Sequence, residues 1–158
     1  MNKEVQSIIR NMQNVLTGEP WYGRPVYSLL EDIDDAVVYM KPENTGHSMI
    51  ELLYHMLTWA EFTLKRIRKD KAMDLRAFEK LDWREIKPAV HTRENGLAEL
   101  KKVHEEIIQE LQTKNDDFLK EIVDYRNYNF RFLLNGLIQH NIYHAGQVAY
   151  VQKLLSVK

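Results

Sequence analysis

The sequence predicts an all-α fold, a four-helix bundle of up-down-down-up-like topology with a long crossover between helices two and three. Three observations indicate this class. Apolar residues recur at helical spacing in four principal segments. No segment alternates apolar and polar residues as a half-buried strand would. Between the second and third of these segments, residues 70–92 lack regular periodicity and are too long for a simple turn.

Length and composition predict a single soluble, cytoplasmic domain over residues 1–158. With 22 basic and 23 acidic residues the formal net charge is −1, which argues against nucleic acid or an anionic membrane as a partner. No apolar run approaches the roughly 20 residues of a membrane span, and the first residues lack a signal-peptide hydrophobic region. There is no cysteine, so any transition-metal site must use nitrogen and oxygen ligands.

The amino-terminal part predicts helical structure in two stretches. Residues 3–16 carry apolar side chains at helical spacing and end at the breaker residues 17–20. The same spacing resumes over residues 25–40, so the two stretches are either one kinked helix or two separate helices. Residues 41–46 are rich in breaker and polar residues and predict a loop.

Ser48 and Glu51 form a capping-box pattern that begins the most strongly predicted helix, residues 48–68. Two apolar stripes lie side by side along this helix, which is typical of a central helix with more than one neighbour. The first stripe contains Leu52, His55, Trp59, Phe62 and Arg66, and the second contains Met49, Leu53, Met56, Ala60, Leu64 and Ile67.

The crossover, residues 70–92, is predicted to be only partly ordered, and connections of this length often cover a functional site. Trp83 lies within it and is expected to pack over a bundle end or to rim a pocket. Thr92 can cap the third helix, about 93–113, whose inner face includes His104.

The fourth helix is predicted over about 130–156. It follows breaker residues at 115–117 and an ambiguous segment, 118–128, which indicates one short helical turn at most. Its inward stripe contains Leu133, Leu137, His140, His144, Gln147, Val148, Val151 and Leu155.

Three of the six histidines, His55, His140 and His144, project from apolar stripes. His140 and His144 are four residues apart, so both rings lie on one side of a helix and can reach one ion. If helices 48–68 and 130–156 face the same interior, His55 supplies a third neutral imidazole and leaves positions open for water or substrate, as in catalytic zinc sites. Each of the three could instead be a core histidine that hydrogen-bonds to its surroundings.

Four other polar residues are weaker candidates. His104 is either a core histidine or an additional ligand, and His47 is interpreted as local helix-start structure. Gln147, on the inner stripe beside His144, is a reasonable partner for a bound water or an imidazole. Glu51 is the best available general base, although its capping role competes with that function.

Four segments in order along the chain resemble one known family. They are residues 20–23, 46–55, 81–83 and, most specifically, 135–147. Together they resemble the DinB/YfiT-like superfamily of metal-binding four-helix-bundle proteins, the damage-inducible Bacillus-type DinB that is unrelated to the DNA polymerase of that name. The resemblance covers nearly the whole chain.

The resemblance implies that His55, His140 and His144 bind a divalent metal, zinc or nickel, and it assigns no metal role to His104. It also implies a homodimer, for which the second apolar stripe of helix 48–68 is an available surface. Members of the family include thiol S-transferases or isomerases that use low-molecular-weight thiols such as bacillithiol or mycothiol, and metal-dependent hydrolases described by analogy.

Three functions therefore remain open. The first is metal-dependent transfer of a low-molecular-weight thiol to an electrophilic small-molecule substrate, because a metal favours thiolate over thiol. The second is hydrolysis by a metal-activated water, which needs a general base. The third is a non-enzymatic role as a metal-binding or interaction protein.

Overall fold

The computed structural model describes residues 2–156, and its regular elements are helices. Two short 3₁₀ turns lie in the connections, and the only β pairing within residues 2–156 is an isolated bridge between Ile122 and Asn129. The helices are α1 (Lys3–Thr17), α2 (Val26–Glu31), α3 (Met49–Ile67), α4 (Leu75–Leu81), α5 (Arg93–Gln112) and α6 (Phe130–Ser156). The predicted all-α class is confirmed. None of these helices is both long enough and apolar enough to span a membrane.

Helices α3 and α5 run parallel to each other. Near their starts, the Tyr54 hydroxyl donates to the carbonyl oxygen of Thr92 at 3.2 Å. Near their ends, the guanidinium of Arg68 pairs with the carboxylate of Glu110 at 2.7 Å. Two consecutive parallel helices require the chain to return along the length of the bundle, which is what the crossover does.

The other two long helices run opposite to this pair. Glu4, near the start of α1, pairs with Arg131, near the start of α6, at 2.7 Å. His55, in the first half of α3, meets His140 near the middle of α6. Farther along α3, Phe62 lines the same cavity as Leu133, near the start of α6. Helices α1 and α6 are therefore parallel to each other and antiparallel to α3 and α5. This is the predicted up-down-down-up order.

Helix α3 lies at the centre of the bundle, between α5 and α6. The predicted capping box is present: the Ser48 hydroxyl accepts from the backbone N–H of Glu51, and the Glu51 carboxylate accepts from that of Ser48. Both apolar stripes are enclosed within the chain. The only residues of α3 that are not buried are Glu51, Trp59, Glu61 and Lys65. The expectation that the second stripe is available for a dimer is wrong, because that stripe packs inside the bundle.

The crossover contains a short helix that the sequence did not predict. α4 buries a single residue, Phe78, which packs edge to face on Phe62 of α3 with ring centroids 5.3 Å apart. The fully buried Arg66 holds the preceding turn, because it donates to the carbonyl oxygens of Asp70 at 2.6 Å and Met73 at 2.7 Å. One buried residue leaves no periodicity to detect. These contacts fix where the residues after α4 cross the start of α3.

The predicted helix over residues 25–40 is wrong in its second half. Helix α2 is separate from α1 and ends at Glu31, and turns follow it. Ile33 and Val38 are nevertheless buried, so their spacing imitates a helical stripe. The side chain of Asp34 accepts from the backbone N–H of Ala36 at 2.9 Å, and such local hydrogen bonds compete with helix propagation.

Candidate metal centre

His55, His140 and His144 come together where α3 packs against α6. One ring nitrogen of each lies within 4.8 Å of the others, and Nε2 of His140 is 2.9 Å from Nε2 of His55. Two nitrogens bound 2.0–2.1 Å from one tetrahedral zinc ion would lie about 3.4 Å apart, so the observed spacing suits a shared ion. His55 and His144 are buried, and His140 is partly buried. The three histidines could therefore hold a metal ion.

The surroundings keep these imidazoles neutral at pH 7. Burial, with a smaller effect of the two neighbouring rings, lowers the pKa of His140 to about 3. Burial lowers the pKa of His144 to about 4. It also lowers the pKa of His55, where the Asp82 carboxylate opposes the shift. Neutral imidazoles keep a lone pair for a divalent cation, and the buried Nδ1 of His140 has no hydrogen-bond partner.

Asp82 and Gln147 determine which nitrogen of two rings is free. A carboxylate oxygen of Asp82 lies 2.6 Å from Nδ1 of His55, off the line of a regular hydrogen bond, and also accepts from the Trp59 indole N–H at 2.7 Å. The amide oxygen of Gln147 lies 2.6 Å from Nδ1 of His144. Both contacts occupy Nδ1, so Nε2 is left for a ligand, and such partners orient metal-binding histidines. Gln147 has the imidazole-partner role expected of it.

Asp82 is absent from the site residues that the sequence predicts, although it lies in one of the segments that carry the family resemblance. The one indication in the sequence is that Asp82 is a carboxylate within a crossover that is expected to cover a functional site. Its distance to His55 depends on the unpredicted helix α4, so the sequence alone could not select it.

Trp83 covers one face of the site. Its ring stacks on His55 with centroids 4.0 Å apart and planes 7° apart, and His47 stacks on its other face at 3.6 Å and 6°. Trp83 therefore rims the site, one of the two roles expected of it. The interpretation of His47 as local helix-start structure is incomplete, because its ring also supports Trp83.

Comparison with known families adds to this geometry. A family profile described as the DinB superfamily matches residues 25–148, well over half of the chain, and the match includes all three histidines. The chain belongs to the DinB superfamily. No curated protein matches it. Membership in the DinB superfamily and a histidine trio that could hold an ion are consistent with metal binding.

Glu51 of this DinB-superfamily protein is already engaged. Its carboxylate accepts from the backbone N–H and the hydroxyl of Ser48 and lies 2.9 Å from the ammonium group of Lys41. Burial raises its pKa, but these hydrogen bonds outweigh the burial, so that the pKa is lowered. The capping role is confirmed, and the carboxylate is not free to act as a general base.

His104 is a core histidine. It is fully buried, with Nδ1 2.9 Å from the Tyr27 hydroxyl oxygen and Nε2 3.1 Å from the side-chain nitrogen of Asn141. Burial lowers its pKa to about 3. Both nitrogens have partners, and the ring is not part of the histidine trio, so of the two alternatives the structure supports the core histidine and not the additional ligand.

Proposed function

We propose that this DinB-superfamily protein is a metal-dependent thiol S-transferase that joins a low-molecular-weight thiol to an electrophilic small molecule. The observation that carries the proposal is three neutral imidazoles around one point with no uncommitted carboxylate beside them among residues 2–156. Asp82 accepts from Trp59 and lies against His55, and Glu51 is held by Ser48 and Lys41.

This arrangement suits a thiol better than water. Imidazole ligands suit zinc and nickel, and a divalent ion held by His55, His140 and His144 would favour thiolate over thiol at neutral pH, so that no protein base would be required. The thiol proton goes to solvent. The sulfur then forms a bond to the electrophilic carbon, and the leaving group departs with the electron pair of the bond that breaks.

The chain's own residues would orient and shield the reacting groups. Asp82 and Gln147 hold the Nδ1 atoms of His55 and His144, which directs the other nitrogen of each ring into the site. Trp83 covers one face of His55 and restricts the approach of water from that side.

Transfer can be tested with metal-loaded protein, bacillithiol or another low-molecular-weight thiol, and monochlorobimane as a generic electrophile. We expect conjugation at least tenfold faster than with His55→Ala, because that variant loses one of three ligands. The matched control is Arg10→Gln, an exposed position on α1, which should retain the wild-type rate. Equal rates for wild type and His55→Ala would remove the proposal.

Hydrolysis by a metal-activated water is the alternative that the same three ligands support. It is less well supported, because Glu51 and Asp82 are both committed to other donors. A non-enzymatic metal-binding role is the third possibility. Large stabilisation by metal without turnover of any thiol or ester would favour it.

A further inference from the structure

A cavity of about 180 Å³ adjoins the histidine trio, and His140 is part of its wall. The remaining wall is largely apolar and aromatic, with contributions from Trp59, Phe62, Tyr128, Leu133 and Leu137. Apolar cavities of about 150 Å³ can take up a benzene molecule. This cavity therefore has room for one aromatic ring or a branched aliphatic group.

Arg126 lies in the same wall and has no anionic partner among residues 2–156. Its guanidinium is 5.4 Å from the ring centroid of Phe62 and 5.7 Å from that of Tyr128. Its Nε is buried without a hydrogen-bond partner, and no carboxylate of the described residues forms a salt bridge with it. A buried donor without a partner is destabilising, and the planar guanidinium matches a carboxylate.

Arg66 also has unpaired buried nitrogens, but its environment differs. It is fully enclosed and donates to the carbonyl oxygens of Asp70 and Met73, so it holds the crossover in place. Arg126, in contrast, borders open space beside the candidate metal centre. Of these two arginines, Arg126 is therefore the one placed to meet a small molecule.

The loop that carries Arg126 is held in place on both sides. The backbone N–H of Val123 donates to the carbonyl oxygen of Tyr128 at 2.9 Å, and that of Arg126 donates to Val123 at 3.0 Å. Tyr125 has φ +65°, a left-handed conformation that bulky residues rarely adopt, and its ring packs over Arg66. The backbone at Arg126 is thus held by the loop's own hydrogen bonds, which places the base of this side chain beside the cavity.

We propose that this cavity binds the electrophilic acceptor as a carboxylic acid with an aromatic or branched apolar body. The carboxylate pairs with Arg126, the body fills the cavity, and the reacting end lies towards His140. A polar low-molecular-weight thiol would have to bury hydrogen-bonding groups against the apolar wall without partners, which is costly, so the electrophile suits the cavity better. The acceptor role rests on the proposed transferase function, but binding of the acid does not require metal.

Calorimetric titration of metal-free protein tests the assignment with phenylacetate and its uncharged counterpart, 2-phenylethanol. We expect phenylacetate to bind more tightly, and Arg126→Gln to weaken it at least tenfold while 2-phenylethanol is unaffected. Arg10→Gln makes the same charge change at an exposed position and should leave both titrations unchanged. Absence of phenylacetate binding, or equal binding by wild type and Arg126→Gln, overturns the proposal.

A second variant tests the cavity itself. A Cβ atom added at Gly136, which lies in the wall, would point into open space, with no atom beyond its own helix backbone within 4 Å. Gly136→Leu should therefore fold normally and weaken both probes by occupying the space, as checked by circular dichroism and the same titrations. Unchanged affinity for both probes in the folded variant contradicts the cavity assignment.

The two proposals can fail separately. Acid binding that depends on Arg126 supports the cavity assignment even if metal-loaded protein transfers no thiol. Thiol transfer that persists in Arg126→Gln, with unchanged KM for both charged and uncharged acceptors, overturns the cavity assignment and leaves the transferase proposal standing.

Discussion

Asp82 reaches the candidate metal centre only through the ring of His55. Helical spacing places His55, His140 and His144 on inward stripes, because residues four apart and apolar stripes can be read directly from the chain. The resemblance to the family then identifies these three as the metal ligands. Helical spacing could not predict Asp82 or the Trp83 stack, because those contacts depend on the path of the crossover. Arg126 was missed for the same reason, since its loop follows no periodic pattern.

We expect Asp82→Asn to weaken metal binding by about 10- to 100-fold, the usual cost of losing a partner that orients a ligand. The carboxylate opposes the effect of burial on the pKa of His55, so its loss should also shift the pH profile of metal binding. Competition titration with a chelator, repeated across pH, measures both effects. Asp117→Asn, at an exposed surface ion pair, is the control, and equal affinities of Asp82→Asn and wild type would contradict the orienting role.

Buried His104 makes the stability of the protein depend on pH. Its pKa is about 3 in the folded protein, below the ordinary value of 6.5, so the unfolded chain binds more protons between these values. The contribution of the neutral imidazole to the free energy of unfolding is fully present above about pH 6.5. It falls as the pH decreases, by up to about 1.4 kcal/mol per pH unit for each such histidine. His140 and His144 act in the same direction in metal-free protein.

Urea unfolding of metal-free protein from pH 7 to pH 5 measures this dependence. His104→Leu should be less stable at pH 7, because Tyr27 and Asn141 lose their partner, yet its free energy of unfolding should fall less steeply with decreasing pH. Equal slopes for the variant and wild type would show that His104 does not titrate as its burial requires.

Among the helices, α3 is predicted best, because its sequence has both a capping box and apolar stripes. The capping box at Ser48 and Glu51 and the two apolar stripes correctly predicted a central α3. The helix over 25–40 was overextended, because buried side chains in turns have the same spacing as a helical stripe. Helix α4 is not predicted from the sequence, because it buries only Phe78 and therefore shows no apolar periodicity.

Ser48→Ala should lower the free energy of unfolding by about 1 kcal/mol, because an alanine cannot cap the first turn of α3. The Glu51 side chain would also lose its hydrogen bond from the Ser48 hydroxyl. Ser7→Ala, at an exposed position within α1, is the matched control and should change stability by a few tenths of a kcal/mol at most. Indistinguishable urea midpoints for the two variants would contradict the capping role.

For the whole molecule, the up-down-down-up order follows from one fact visible in the sequence, the long segment between the second and third helices. That order places the first half of α3 beside the middle of α6, where His55 meets His140 and His144. A homodimer stays a prediction. The second stripe of α3 is enclosed, so a dimer would have to use other apolar surface. Exposed aromatic side chains on α6 are Phe132, Tyr143 and Tyr150.

Metal content and metal-dependent stability, measured together, test the central claim most directly. Elemental analysis and thermal unfolding would compare wild type with His140→Ala, each after metal loading and again after chelation. The geometry predicts one divalent ion per wild-type chain, with stabilisation of about 2.7 kcal/mol when free metal is 100 times its Kd. His140→Ala should hold little metal and gain little stability. Equal metal content in the two proteins, or a wild type whose unfolding is unaffected by metal, would contradict the assignment of this site.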